Sequence, residues 1–261
     1  MSNHTIYDNF VLENKVEDML ETMLDTRNFM TVDNTLEGTA GTKKIVHRYN
    51  YEGQVERLEM GQGNEVSGTV SFEEVEYEVE MAQQHFAYYD EQYAKDPMVV
   101  EVALKGATAT MVNDMNAKFF EELGKASIKL TVDGPVTYDN IVDAIALMQI
   151  ENEEGLFLLV GTDVKADIRK DEDFKRAAQG EIIFNGQIGA VCGIPVVHSK
   201  KIEKGEAFLL TKEAIHLITK AEVEVEQERD ANTRQNNVYL RKNNIVALAD
   251  ATKLVKIAKA K

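Results

Sequence analysis

The 261-residue sequence predicts an α+β fold. Three patterns support this prediction. Apolar residues repeat at helical spacing between residues 96 and 124, and glutamates alternate with apolar residues between 73 and 81. From residue 156 onward, short strands alternate with turns. No internal repeat of about 20 to 50 residues is visible, so neither a solenoid nor a propeller is predicted.

The composition is acidic, with 45 Asp and Glu against 29 Lys and Arg and a net charge of −16. Binding to nucleic acid through charge needs a cationic surplus, so the balance disfavours that class of function. No apolar run approaches the roughly 18 residues of a membrane span, and the first residues lack the features of a signal peptide. The single cysteine, Cys192, excludes an internal disulfide. We expect a soluble protein that is made in a cytoplasm.

Residues 1 to about 40 are predicted to form an arm. Val16, Met19 and Leu20 lie at helical spacing, with acidic residues on the other side, which indicates an amphipathic helix. Gly38 and Gly41 then mark a joint. This segment has no core of its own, so its apolar side is expected to pack on another part of the structure.

A long two-stranded ribbon is predicted next. Its tip is the turn signal at Gly61, Gln62 and Gly63. Its second strand has two faces, because the residues alternate with a period of two. One face is anionic (Glu74, Glu76, Glu78, Glu80) and the other is apolar (Val75, Tyr77, Val79, Met81). An isolated hairpin is marginally stable, so the ribbon needs a surface to lie on, in its own chain or in another subunit.

The longest predicted helix begins at Asp96 and Pro97, which are favourable at the N-cap and first helical positions, and ends at Gly124. At about 1.5 Å per residue it is about 40 Å long. Its predicted apolar face comprises Val99, Val102, Ala103, Ala107, Met111, Met115, Phe119 and Leu123. A helix capped by Thr137 and a buried strand at residues 156–160 then predict an α/β module.

No residue pattern predicts catalysis, a metal site or a cofactor. Cys192 and His198 would lie about 20 Å apart along one strand, so they cannot form a nucleophilic pair, and Cys192 is expected to be a small buried residue. The five histidines lack metal-ligand spacing, and the glycines form no phosphate-binding motif. The glutamates at 73–80 lack the loop of a dedicated calcium site, which favours a solvated or partner-facing strand.

Charge is distributed unevenly along the chain. Residues 65–80 contain six Glu and no Lys or Arg, whereas residues 232–261 contain seven Lys or Arg and one acid. The anionic ribbon and the basic C-terminal region, which includes Arg234, Arg241 and Lys242, are expected to attract one another. They could pair within one chain, or between one copy and the next.

The segment from Gly186 to Ala214 and the strands after it resemble the major capsid proteins of tailed bacteriophages, whose fold is shared with herpesvirus capsid floors and encapsulins. The matching features are G-x-P-V-V-x-S at Gly193 to Ser199, G-x-A-F-L-L at Gly205 to Leu210, and E-R-D at Glu228 to Asp230. Their order and spacing over about 75 residues carry the resemblance.

The resemblance implies an N-arm (1–40), an extended β-hairpin loop (41–94), a peripheral domain with a spine helix (95–135 and 221–261) and an axial α/β domain (136–220). It also implies an icosahedral shell of hexamers and pentamers that encloses double-stranded DNA, assembled in the host cytoplasm and located in the virion. Its DNA contacts are expected to be weak. Expected partners are identical subunits, a separate scaffolding protein, a portal and a decoration protein. The expected subunit interface comprises Gly61, Gln62, Gly63, Glu74, Val75, Glu76, Tyr77, Glu78, Val79, Arg234, Arg241 and Lys242.

Two features depart from the family pattern. Some members join subunits by an isopeptide bond from a lysine on the extended loop, but no lysine lies between Lys44 and Lys95, so no such cross-link is expected. Many members also begin with a cleaved scaffolding segment of about a hundred residues. Here Met1 precedes the extended loop by about forty residues, so scaffolding is expected from a separate protein or is not needed.

Two alternatives remain at the level of sequence. An encapsulin-like shell would hold an enzyme instead of DNA, and would need an apolar groove on its inner face for a cargo peptide. A soluble α/β enzyme with a carboxylate pair is the alternative from a different class, and no catalytic motif supports it.

Overall fold

The computed structural model describes residues 12–16, 18–19, 26–38, 41–58, 61–63, 67–150, 153–172 and 189–260. This part of the chain contains two sheets, a separate two-stranded ribbon and one long helix. The strands are β1 (Thr31–Asp33), β2 (Lys43–Glu52), β3 (Thr69–Glu78), β4 (Glu80–Tyr89), β5 (Ile128–Val132), β6 (Leu156–Val160), β7 (Ala190–Val191), β8 (Ile194–His198), β9 (Glu206–Thr211), β10 (Ile215–Asp230), β11 (Gln235–Leu248) and β12 (Leu254–Lys259). The helices are α1 (residues 12–16 and 18–19), α2 (Asp90–Lys95), α3 (Met98–Gly124), α4 (Tyr138–Met148) and α5 (Thr162–Lys170).

The first sheet has four strands in the order β1-β10-β11-β4. Its centre is the long antiparallel pair of β10 and β11, joined by a turn in which Arg234 has a φ of 55°. Buried side chains alternate along β11 from Asn236 to Asn244, and they include apolar Val238 and Leu240 as well as Lys242. The turn predicted at Glu228 to Asp230 is displaced, since these residues are the last of β10 and pair with β11, and the turn follows at residues 231–234.

Helix α3 packs on β4 and β11 and carries much of the first core. Its predicted start is confirmed, since Asp96 Oδ1 accepts a hydrogen bond from Met98 N at 2.9 Å. The predicted apolar face is partly wrong. Val102 is 64% exposed, whereas Leu104 is 1% exposed. The helix is buried on more than one side, because the sheet, the N-terminal arm and strand β12 all contact it, so a single stripe does not describe it.

The second sheet has six strands in the order β5-β12-β9-β6-β8-β7 and packs against α4 and α5. The predicted Thr137 cap is confirmed, since its backbone N–H donates to Asn140 Oδ1 at 2.9 Å. Cys192 (φ 53°) and Gly193 (φ 78°) form the two-residue turn between β7 and β8, a conformation that suits glycine best. Cys192 is half-buried rather than fully buried.

The N-terminal arm packs on the first core through Leu12, Val16 and Met19. Glu13 Oε1 accepts a hydrogen bond from Val225 N at 3.2 Å, and Lys15 forms a 3.2 Å ion pair with Glu101 on α3. The predicted amphipathic helix is confirmed where the structure describes it, and its apolar side lies on its own chain. Its predicted position Leu20 lies outside the described residues.

Strand pairing crosses the boundaries of the predicted domain ranges. Strand β4 lies within the predicted extended loop but pairs with β11. Strands β5 and β12 lie within the predicted peripheral ranges but belong to the six-stranded sheet. Helix α5 was not predicted, and residues 173–188, which fall in the region where short strands and turns were expected, lie outside the described residues.

Candidate assembly surface

The predicted ribbon is present as strands β2 and β3, which pair antiparallel from Lys43 opposite Glu78 to Glu52 opposite Thr69. Each strand has ten residues and is therefore about 34 Å long at about 3.4 Å per residue. The tip residues Gly61, Gln62 and Gly63 are exposed, and Gly61 has a φ of 95°, which favours glycine. Within the described residues, the ribbon forms a sheet of its own.

The base of the ribbon is fixed to its own chain by its inner face. Val46, Tyr77 and Val79 pack against Ile218 and Ile245 of the four-stranded sheet. The predicted apolar face therefore includes residues that contact their own subunit. Met81 departs from this pattern and is 63% exposed, because the alternation changes phase between β3 and β4.

Tyr77 links the inner face to the long helix. Its hydroxyl lies 3.3 Å from Glu122 Oε2 and accepts a hydrogen bond from Leu248 N at 3.2 Å. Glu122 is buried, and its other carboxylate oxygen accepts from Lys125 Nζ at 2.5 Å. The hydrogen bond to Glu122 raises the pKa of Lys125. Tyr77 thus fixes one strand of the ribbon to both the helix and the sheet.

The outer face of the ribbon is uncovered. In an antiparallel pair, directly opposite residues share a face, so Glu74, Glu76 and Glu78 lie on the same side as His47 and Tyr49. The alternation predicted for this strand is confirmed, since the three glutamates are exposed while Val75 and Tyr77 are half-buried.

An aromatic cluster continues this outer face toward the tip. Tyr49 is 69% exposed and lies opposite Phe72, which is 59% exposed, with ring centroids 6.2 Å apart. His47 stacks on Tyr49 with ring centroids 5.9 Å apart. Tyr51 and Val70 extend the same exposed face. An apolar patch of this kind on a folded chain marks an interaction site.

The glutamates of the ribbon form ion pairs near the ribbon itself. Glu76 lies 2.6 Å from Lys43 Nζ, and this hydrogen bond raises the pKa of Lys43. Glu74 lies 3.6 Å from His47 Nδ1, and Glu80 pairs with Lys118 on α3. Within one chain, these glutamates therefore pair with basic residues that lie close to them on the ribbon or on α3.

The basic residues predicted to meet the ribbon pair with other acids. Arg234 lies 3.3 Å from Glu91, and Arg241 lies 3.0 Å from Glu226. Lys242 is buried. No ion pair between these three residues and Glu74, Glu76 or Glu78 occurs within the described residues. The side chains of Glu74, Glu76 and Arg234 each stay more than half exposed.

The described residues contain no group of three or more His, Cys, Asp or Glu arranged to hold a metal ion. Of the helices described, none is both long and apolar enough to span a bilayer. Cys192 lies in the β7–β8 turn, whereas His198 ends β8 and lies 3.2 Å from Thr162 Oγ1. The structure therefore does not bring these two residues together as a nucleophilic pair.

Comparison with known proteins gives the same fold. The structure is similar to the capsid of Cyanophage P-SCSP1u, with a TM-score of 0.71 at 10% identity over 89% of this chain and 87% of that chain. It is also similar to an encapsulin complex from Synechococcus elongatus PCC 7942, with a TM-score of 0.63 at 11% identity over 99% and 91%. The sequence is 28% identical to the major capsid protein of Staphylococcus phage phiMR11, over 95% of this chain and 92% of that protein.

The likeness to these solved structures spans most of the chain and shows a fold that is common to a phage capsid and an encapsulin. The chain belongs to the phage capsid protein family, whose model matches residues 73–257. It is a structural, shell-forming protein of the virion, and its subunits associate with identical copies.

Proposed function

We propose that this chain assembles, as hexamers and pentamers, into an icosahedral shell around the double-stranded DNA genome of a tailed phage, and that it has no enzymatic activity. The uncovered outer face of the ribbon carries this proposal. A two-stranded hairpin with exposed rings is poorly stable in water, so it gains stability when a neighbouring copy covers those rings. Repetition of one such contact around symmetry axes builds a closed shell.

The contact surface of the ribbon has two parts. The rings of Tyr49 and Phe72 supply apolar area near the tip, and Glu74, Glu76 and Glu78 supply negative charge near the base. Apolar area gives affinity, whereas complementary charge guides association and fixes register. The inner residues Val75, Tyr77 and Val79 support this face from below, and Gly61, Gln62 and Gly63 form the far end that reaches the neighbour.

The basic C-terminal region of the next copy is the proposed counterpart of the glutamates. The pair of Arg234 with Glu91 has side chains 65% and 62% exposed, so it contributes little to the stability of one subunit. Arg234 can therefore exchange its partner for a glutamate of a neighbouring ribbon at small cost, and Arg241, which is 29% exposed, is proposed as a second base. Lys242 is proposed to add positive potential from its buried position.

Charge reversal on the ribbon tests this proposal. We expect the triple variant of Glu74, Glu76 and Glu78 to lysine to lower particle yield while the unassembled chain stays folded. The variant K43E/E76K is the matched control for the single change E76K, because it restores the ion pair within the ribbon. Negative-stain electron microscopy and sedimentation velocity measure particle yield, and circular dichroism measures folding. Unchanged yield for the triple variant would rule out the electrostatic role.

The contents of the shell separate a phage capsid from a cargo compartment. The similarity to an encapsulin concerns the fold, so an encapsulin-like compartment is the second candidate. Particles purified from infected cells are expected to contain DNA that is protected from nuclease. Particles that contain an enzyme and no DNA would support the compartment instead.

The same particles test the proposed partners and covalent chemistry. We propose a separate scaffolding protein, a portal and a decoration protein as partners, which mass spectrometry of immature and mature particles would detect. No isopeptide cross-link is proposed, because no lysine lies between Lys44 and Lys95. Mature particles should therefore give one band at the mass of the subunit on a denaturing gel, and a ladder of multiples would contradict this.

The proposed domain division follows the family pattern, with an N-arm, an extended loop, a peripheral domain and an axial domain. The two sheets support two domains, one around α3 and one around α4 and α5. The axial domain is proposed to meet its copies around the five-fold and six-fold axes.

A further inference from the structure

A cavity of about 300 Å³ lies where the N-terminal arm, helix α3 and the six-stranded sheet meet. Its apolar walls come from three different parts of the chain. They comprise Phe29 from the arm, Phe119 and Phe120 from α3, and Leu159 and Val197 from β6 and β8. A cavity of this size accommodates one or two bulky side chains. The walls are preformed, since Phe29 already packs edge-on against Phe157 with ring centroids 5.2 Å apart.

A buried hydrogen bond keeps one end of the cavity rigid. Thr26 Oγ1 lies 2.6 Å from Asn116 Oδ1, and both side chains are buried. The other end carries His198, Ser199 and Lys201. Lys201 Nζ donates to the backbone oxygen and to Oδ1 of Asn113, at 3.3 and 3.1 Å. These acceptors are neutral, so they orient the ammonium group without neutralising its charge.

Further cations surround this polar end. Lys165 and Arg169 on α5 and Lys200 after β8 form no ion pair within the described residues. Burial lowers the pKa of His198, and the neighbouring charges of Lys165, Lys200 and Arg169 lower it further. Within the part of the chain that the structure describes, this cationic rim has no counter-charge, although the net charge of the chain is −16. The charge of the rim is complementary to that of an anionic partner.

We propose that this cavity binds an acidic, amphipathic peptide segment of another protein. A bulky apolar side chain of that segment enters between Phe29, Phe120 and Val197, and its flanking carboxylates pair with Lys165, Arg169 and Lys200. An apolar anchor in a preformed pocket with charged groups at the rim is an arrangement that gives specific interfaces. The site lies apart from the outer face of the ribbon and does not depend on the proposed ribbon contact.

A peptide is favoured over nucleic acid as the occupant for two reasons. A long polyanion extends past the rim onto the surface of a chain with a net charge of −16, whereas a short acidic segment stays beside the cations. In addition, aliphatic Leu159 and Val197 form part of the wall. Such a wall suits a leucine or phenylalanine side chain.

The binding of short synthetic peptides to the purified full-length chain tests the proposal. Fluorescence anisotropy would measure three labelled peptides, of sequences EDLFED, EDSSED and KKLFKK. We expect EDLFED to bind at least about tenfold more tightly than either of the others, because each lacks the anchor or the carboxylates. Equal affinity for EDLFED and EDSSED would overturn the proposal, since the cavity would then not contribute.

Two variants and one matched control locate the site. V197F fills the cavity, and K200E reverses one charge of the exposed rim, so each is expected to weaken EDLFED binding about tenfold. K129E makes the same charge change on β5, four strands away and about 19 Å from β8, and should leave binding unchanged. If V197F does not fold, the effect of K200E on EDLFED binding tests the site without it. An equal loss for K129E and K200E would contradict a local site.

A single-stranded DNA oligonucleotide serves as the competing probe. Two results together would overturn the peptide site: the DNA displaces EDLFED, and V197F still binds EDLFED with full affinity. The cations would then belong to a surface that binds polyanions. Particle yield separates this proposal from the ribbon contact. K200E should change peptide binding without the loss of yield expected from ribbon charge reversal.

Discussion

Tyr77 on the ribbon and Glu122 on the long helix are joined by a hydrogen bond of 3.3 Å, between residues that lie 45 positions apart in the sequence. The same hydroxyl also accepts from the backbone of Leu248 in β11. One phenol group therefore connects the ribbon, the helix and the sheet. The direction in which the ribbon leaves the subunit depends on this junction.

The variant Y77F tests the junction. It removes the hydroxyl and leaves the ring in place, so we expect the free energy of unfolding to fall by about 1 kcal/mol. Urea denaturation of the unassembled chain would measure the change. Y49F is the matched control, because the hydroxyl of Tyr49 has no hydrogen bond within the described residues, and its loss should change stability by less than about 0.5 kcal/mol. Equal effects of the two variants would contradict the junction.

The buried hydrogen bond between Thr26 and Asn116 predicts a larger cost. The variant T26V removes the donor and leaves the carbonyl oxygen of Asn116 buried without it, so we expect a loss of about 1 to 3 kcal/mol. T110V is a suitable control on α3, since Thr110 is exposed and bonds only to the helix backbone at Gly106. A loss for T26V no greater than that for T110V would show that the arm is not fixed at this point.

Two neighbouring positions on α3 test which face of the helix is buried. L104A should lower the free energy of unfolding by about 2 to 5 kcal/mol, because Leu104 is fully enclosed. V102A should change the stability of the unassembled chain by less than about 0.5 kcal/mol. Thermal or urea unfolding would measure both. A large loss for V102A in the unassembled chain would contradict the burial described above.

The acid dependence of stability is expected to involve Asp90. Hydrogen bonds from Arg229 and Asn236, each at 2.7 Å, lower the pKa of Asp90 below its ordinary value of 3.8. A lowered pKa stabilises the fold above pH 3.8, and this contribution is lost as the pH falls through the lowered value. The stability difference between the native chain and D90N should therefore be larger at pH 5 than at pH 3. Urea unfolding at both values would measure it, and a difference independent of pH would contradict the assignment.

The sequence predicted the elements that depend on local signals. Asp96 caps α3 because its carboxylate reaches the N–H two residues on, and the alternation of glutamates around Tyr77 follows from the period of a strand. These features need no knowledge of distant residues. The start of the long helix, the ribbon and the Thr137 cap were accordingly found from the sequence.

Features that depend on distant partners were not predicted. The pattern of β12 does not reveal that it lies between β5 and β9, because strand pairing over this distance leaves no local signal. The exposure of Val102 depends on which elements surround α3. The cavity at Phe29 and Val197 joins three separate segments, and sequence periodicity cannot bring them together.

The order of strands also constrains when the subunit becomes ready to assemble. The strand at residues 254–259 lies inside the six-stranded sheet, and the four-stranded sheet joins residues 31–33 to a hairpin that ends at residue 248. A nascent chain on the ribosome therefore has its ribbon synthesised long before either sheet can close. The surface that holds the base of the ribbon can form only after residues 215–248 have been synthesised, since Ile218 and Ile245 belong to β10 and β11. The order of the chain thus places the ribbon ahead of the surface that supports it.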